Sequence, residues 1–109
     1  MPGCLNRRDN VGSDAPELRE AGIERLFVQA VEAVGGKAFK FASPGNAGVP
    51  DRIVLLGGRA YFVELKAPGR KPRALQRYRQ RQFARLGFTV HVIDSAAEVR
   101  EFVDAISAT

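Results

Sequence analysis

Apolar positions along the chain fall into two periods. Ile23, Leu26, Phe27, Ala30, Val31 and Val34 recur at helical spacing until Gly35-Gly36 ends the run. Asp14 followed by Glu17 fits a capping box, with Pro16 in the first turn, and predicts a helix opening there. Gly22 weakens that stretch and offers a later start. The segment "KAFKFAS" alternates and reads as a short strand, and "PGNAGVP" after it reads as a loop. Two further strands are predicted over 51–56 and 59–67, joined by Gly57-Gly58, a strong two-residue hairpin signal. "APGRKP" is a turn, Pro72 opens a second helix, and Gly87 closes it. "FTVHVI" is a fourth strand. Ser95 and Glu98 then form a capping box for a helix that turns Val99, Phe102, Val103 and Ile106 inward.

The resulting order is α-β-β-β-α-β-α without internal repeats. It predicts one α/β domain over 14–109, with a central mixed four-stranded sheet flanked by helices. Residues 1–13 are polar and aperiodic, and are expected to form a flexible tail.

The hairpin raises a chemical question. If its loop is Gly57-Gly58, Leu56 faces Arg59, and counting back along both strands sets Asp51 opposite Glu64. Alternation puts Lys66 on the same face, together with Ile53, Leu55, Ala60 and Phe62. That face is therefore expected to be buried towards the turn and charged at its far end. Like charges facing each other across a ladder repel, and partial burial deepens the cost. A shared proton, neutralisation by Lys66, or a hard divalent cation taking oxygen ligands from both acids would each relieve it. Ordinary exposed charges at frayed hairpin ends explain the same spacing, and a slip of one residue would separate the pair.

Composition narrows the choices. Lys+Arg outnumber Asp+Glu by 17 to 12 in 109 residues, a net charge of +5, which favours a polyanionic partner such as nucleic acid. Cys4 is the only cysteine and His91 the only histidine, which excludes a disulfide within the chain, thiolate zinc sites and His-pair metal motifs. His91 alternates with Val90 and Val92, which predicts a solvent-facing strand histidine rather than a catalytic one. No apolar run approaches the roughly 20 residues of a membrane helix, and the start lacks a signal-peptide core. A cytoplasmic, membrane-free protein is expected.

Pro50-Asp51 followed by Glu64-Leu65-Lys66 on the next strand matches the PD-(D/E)XK pattern of restriction-endonuclease-like nucleases. The wider stretches "GNAGVPDRIVL" and "YFVELKAPG", with Gln76 after them, resemble the VRR-Nuc (virus-type replication-repair nuclease) family over roughly residues 20–106. The resemblance implies a restriction-endonuclease-like core and a catalytic Mg2+ or Mn2+ held by Asp51, Glu64 and the backbone carbonyl of Leu65. It implies that Lys66 orients the attacking water and offsets charge on the scissile phosphate. Glu24 matches the acid of the family's first helix, a further candidate for catalysis or metal binding, with Glu20 one turn earlier as its rival. Gln76 matches the glutamine opening the second helix, where an amide can bind the nucleophilic water or a phosphate oxygen. A solvated helix flank explains Glu24 and Gln76 without any such role.

Arg73, Arg77, Arg81 and Arg85 recur every four residues, and Arg70, Lys71 and Arg79 add charge around them without an acid between Glu64 and Asp94. Such like-charge pairs cost a helix roughly 0.2–0.5 kcal/mol each, and phosphate binding would relieve them. Ser43 and Asn46, in the loop before Asp51, can approach the same strand or simply form a connecting turn. Nothing resembles a base-reading code, so contact should follow backbone and shape. The functional expectation is a metal-dependent DNA endonuclease acting on Holliday-junction or other branched DNA in replication, recombination or repair. By resemblance it is a homodimer, bacterial or phage-encoded. The alternative is a non-catalytic DNA-binding module that uses only the basic helix.

Overall fold

The computed structural model describes residues 19–109. The expected tail and the Asp14–Glu17 cap lie outside the described residues. In chain order the elements are α1 (Glu20–Ala33), β1 (Lys37–Lys40), β2 (Arg52–Leu56), β3 (Arg59–Leu65), α2 (Ala74–Arg85), β4 (Val90–Ile93) and α3 (Ala96–Ser107). The predicted order is the observed one. Helix α1 runs straight through Gly22, because Ile23, Phe27 and Val31 bury fully on the sheet and outweigh one glycine's roughly 1 kcal/mol.

The four strands pair in the order β1-β2-β3-β4. The first three are antiparallel, and β4 lies parallel to β3 after the α2 crossover. The β2–β3 register is the one set by Gly57-Gly58: Leu56 pairs with Arg59 and Arg52 with Val63. Both turn glycines have positive φ, 61° and 79°, as a tight hairpin turn of this kind demands. Asp51 is one residue outside β2, but its carbonyl accepts from Phe41 N–H at 2.8 Å and keeps β1 attached there.

Helices α1 and α3 both pack on one face of the sheet. Ile23, Phe27 and Val31 of α1 meet Val99, Phe102, Val103 and Ile106 of α3 over Ala38, Val54, Val63, Leu65 and Ile93. This face carries the core. Among the described residues the other face, with Phe39, Ile53, Leu55, Ala60 and Phe62, receives only α2, which buries none of its own residues fully. Phe83 of α2 stacks edge-on against Phe62 at 5.0 Å, and Phe88 does so at 5.7 Å.

The expectation that the Asp51–Glu64 face is buried towards the turn is therefore corrected: Leu55 is 44% exposed and Ala60 is exposed as well. Two helices went to the opposite face and α2 reaches only as far as Phe62. His91 is also corrected. It points to the core side and lies against the Phe102 ring at 5.0 Å, half-buried beneath α3.

Helix α3 begins with Ser95 Oγ accepting from Glu98 N–H at 3.1 Å. The return bond of that cap comes from Asp94 N–H rather than Ser95.

Candidate active site

The ends of β2 and β3 farthest from the turn deliver the acids. Asp51 Oδ2 accepts from the Leu65 backbone N–H at 3.1 Å, so the side chain bridges to the neighbouring strand. Glu64 projects from β3 towards α2 and is 1% exposed. Lys66 follows it, with its N–H donating to the Ile93 carbonyl at 2.9 Å and its Nζ 3.4 Å from Glu64 Oε2.

The N-terminus of α2 adds Gln76. Its Nε2 donates to Glu64 Oε2 at 2.5 Å, while its Oε1 accepts from Arg73 N–H at 2.8 Å. The amide is thus oriented by two partners at once. An arginine side chain has no acceptor, so Gln76 supplies the one side-chain bond that a cap can make here. A single residue therefore both stops the helix end from fraying and holds the buried carboxyl.

The electrostatics follow from this crowding. Burial, and then the charge of Asp51, push Glu64 up to about 7. Lys66 and the Asp51 backbone N–H pull the other way without cancelling the rise. Burial also raises Asp51, against the Leu65 N–H and Lys66, with Glu24 adding repulsion. One lysine facing two desolvated acids leaves the site short of positive charge. That deficit, on oxygen-only donors, is the chemistry of a hard divalent cation site. Among the described residues no group of three or more His, Cys, Asp or Glu side chains could hold a metal. A cation here would rest on Asp51, Glu64 and main-chain oxygen, and Leu65 shares a cavity of about 250 Å3 with Asp51. The residues present fit the group.

Glu24 lines the same cavity, as do Glu20 and Lys40. Its carboxylate, however, is engaged: Oε2 lies 2.5 Å from Arg52 Nη2. Arg52 is 8% exposed, and its Nη1 donates to the Ala38 carbonyl at 3.1 Å. This guanidinium ties α1 to β1 and β2 directly behind Asp51. The sequence pattern places Arg52 within the second strand and assigns it no partner. The available signal was its alternation with Val54: an arginine on the core face needs a counter-ion, and Glu24 is the acid on the helix that covers it.

The basic residues separate into two sets. Arg70, Lys71 and Arg73 are exposed around a recess of about 150 Å3 that Lys66 and Glu20 also line. Arg77 and Arg81 stand exposed along α2, with Arg77 Nη1 donating to the Pro72 carbonyl at 2.6 Å. Arg79 is structural, since its Nε donates to the Ala47 carbonyl at 2.9 Å and anchors the β1–β2 loop to α2. That loop approaches α2 closely at Gly48, where a Cβ would stand 2.9 Å from Leu75. Asn46 bonds Ser43 twice, through N–H to carbonyl at 2.9 Å and Nδ2 to Oγ at 3.0 Å. Those two residues close a turn.

No family model matches the chain. A phage protein, "Putative nuclease p44" of Acyrthosiphon pisum secondary endosymbiont phage 1, is 48% identical over 79 residues, covering 72% of this chain and 85% of that protein. A solved structure described as a VRR_NUC domain superposes with a TM-score of 0.72 at 30% identity, covering 78% of this chain and 94% of its own.

Proposed function

The chain belongs to the VRR-Nuc family of nucleases, and from that premise we propose that it is a Mg2+- or Mn2+-dependent endonuclease selective for branched DNA. The observation that carries the reading is Glu64: a buried carboxyl pushed up to about 7 beside Asp51, with Lys66 and Gln76 both on its Oε2. Two desolvated acids held side by side cost a fold stability, and such pairs cluster at sites where charge is handled.

Asp51, Glu64 and the Leu65 carbonyl would hold the cation. When bound, it supplies Lewis-acid stabilisation of the phosphate and lowers the pKa of an attacking water. Lys66 carries a compact point charge next to the acids, suited to orienting that water and meeting charge that develops on the scissile phosphate. Gln76 fixes Glu64 and, through Arg73 N–H, fixes the start of the basic helix relative to the acids. Glu24 acts through Arg52, whose guanidinium braces the strand ahead of Asp51. Arg70, Lys71, Arg73, Arg77 and Arg81 meet the DNA backbone, which gives affinity without sequence preference.

Two copies acting on a four-way junction would match its two symmetric strands. The exposed Phe39 and Leu55 on the α2 face, 48% and 44% accessible, support a homodimer. Among the described residues no helix is long and apolar enough to cross a membrane. The test is a panel of four-way junction, flap, replication-fork and linear duplex substrates with Mg2+ or Mn2+. Preferential cutting of the branched substrates is expected. Equal cutting of linear duplex would remove the structure selectivity.

A further inference from the structure

The recess beside Lys66 has features that backbone tracking does not require. It is lined by Glu20, Lys66, Ala67, Arg70, Lys71 and Arg73, and encloses about 150 Å3. Four cations against one acid surround a volume that suits one phosphate group. The loop carrying them is braced at several points. Arg70 N–H donates to the Ala67 carbonyl at 3.0 Å, and Gly69 N–H donates to Asp94 Oδ2 at 3.3 Å. Arg77 Nη1 holds the Pro72 carbonyl, and Gln76 holds Arg73 N–H. The cations are therefore presented by a prearranged turn, and the ordering entropy of a loose basic loop is largely paid before binding.

We propose that this recess binds a terminal phosphate monoester of a nucleic-acid strand. The inference rests on the nuclease reading above and names one feature of the substrate. An internal phosphodiester carries one charge and must enter and leave with a sugar on each side, which suits an open groove such as the exposed α2 face. A monoester carries roughly −1.5 to −2 charge and three terminal acceptor oxygens. It occupies a recess from one side and can engage Arg70, Lys71 and Arg73 together, with guanidinium forks taking oxygens in pairs. The recess shares Lys66 with the catalytic acids, so a phosphorylated strand end held there lies next to the cleavage centre.

The experiment measures binding of one labelled oligonucleotide in three forms, 5′-phosphorylated, 3′-phosphorylated and unphosphorylated, by fluorescence anisotropy in EDTA. EDTA prevents cutting. One phosphorylated form should bind about tenfold more tightly than the unphosphorylated strand, the size of one good charge-assisted contact, and which form wins identifies the end. Lys71→Gln and Arg70→Gln should each lower affinity for all forms and collapse the preference to within about twofold. Arg85→Gln removes the same charge far along α2 and should keep the preference. Equal binding of all three forms by the unaltered protein would overturn the proposal, as would a preference lost equally in Arg85→Gln, which marks a mere charge effect. Cleavage activity without any end preference would sink the recess while leaving the nuclease reading intact. Loss of cleavage in every metal would instead sink that reading.

Discussion

Replacing Glu64 with glutamine should make the metal-free protein more stable, and the gain should grow with pH. Burial and Asp51 raise the folded-state value of Glu64 from 4.5 to about 7. A carboxyl raised in this way binds its proton more tightly in the folded chain than in the unfolded one. It therefore costs nothing well below pH 4.5, costs progressively more as pH rises towards 7, and costs a constant amount above that. At about 1.4 kcal/mol per unit, the penalty is about 1 kcal/mol at pH 5 and about 3 kcal/mol at pH 8. Glutamine keeps the shape and still accepts from Gln76 and Lys66 through its carbonyl, but carries no charge.

The stability difference between Glu64→Gln and the unaltered protein should thus rise by about 2 kcal/mol between pH 5 and pH 8. Burial lowers His91, which works in the opposite direction by favouring the fold as pH rises towards 6.5. That contribution is common to both proteins and cancels in the difference. Urea denaturation followed by circular dichroism in EDTA gives the numbers. Millimolar Mg2+ should then restore stability to the unaltered protein at pH 8 and do little for the variant. A difference that does not change with pH, or a variant less stable than its parent at pH 8, would show that the Glu64 charge does not burden the fold.

Three further outcomes follow from particular contacts. Gln76→Ala removes the cap on Arg73 N–H and one partner of Glu64; it should cost about 1–2 kcal/mol in thermal melts and lower kcat more than it raises KM. Arg52→Met removes the partner of the half-exposed Glu24 carboxylate and of the Ala38 carbonyl, and a loss of about 1–2 kcal/mol is expected by urea titration; an unchanged midpoint would show the pair to be incidental. Arg73→Gln and Arg77→Gln should each weaken DNA binding evenly across sequences and reduce the logarithmic salt slope by about 1.

The sequence made the hairpin legible because Gly57-Gly58 leaves one natural turn, and that turn sets the register that brings Asp51 to Glu64. It also made the elements and their order legible, since apolar periodicity, the glycines that end α1 and α2, and the Ser95 cap of α3 mark them. Which face of the sheet holds the core was not legible. Ile53, Leu55 and Phe62 on one side are as apolar as Val54, Tyr61 and Val63 on the other, and only the packing of α1 with α3 breaks the tie. The partners of Glu24 and Gln76 were hidden for a related reason. Both residues sit on helix borders, where a wheel gives direction but not the strand residue that waits opposite. Arg52 alternates with Val54, and that alternation signals burial only once their shared face is known to be the core one.

Asp51, Glu64 and Lys66 are proposed to form one metal-dependent phosphodiesterase site. The most direct measurement is cleavage of a labelled four-way junction by the unaltered protein, Asp51→Ala and Lys66→Ala, each with Mg2+, Mn2+ or EDTA. The unaltered protein should cut with either metal and not in EDTA, and both variants should lose activity while they still bind the junction. Cutting in EDTA, or equal cutting by Asp51→Ala, would rule out such a site.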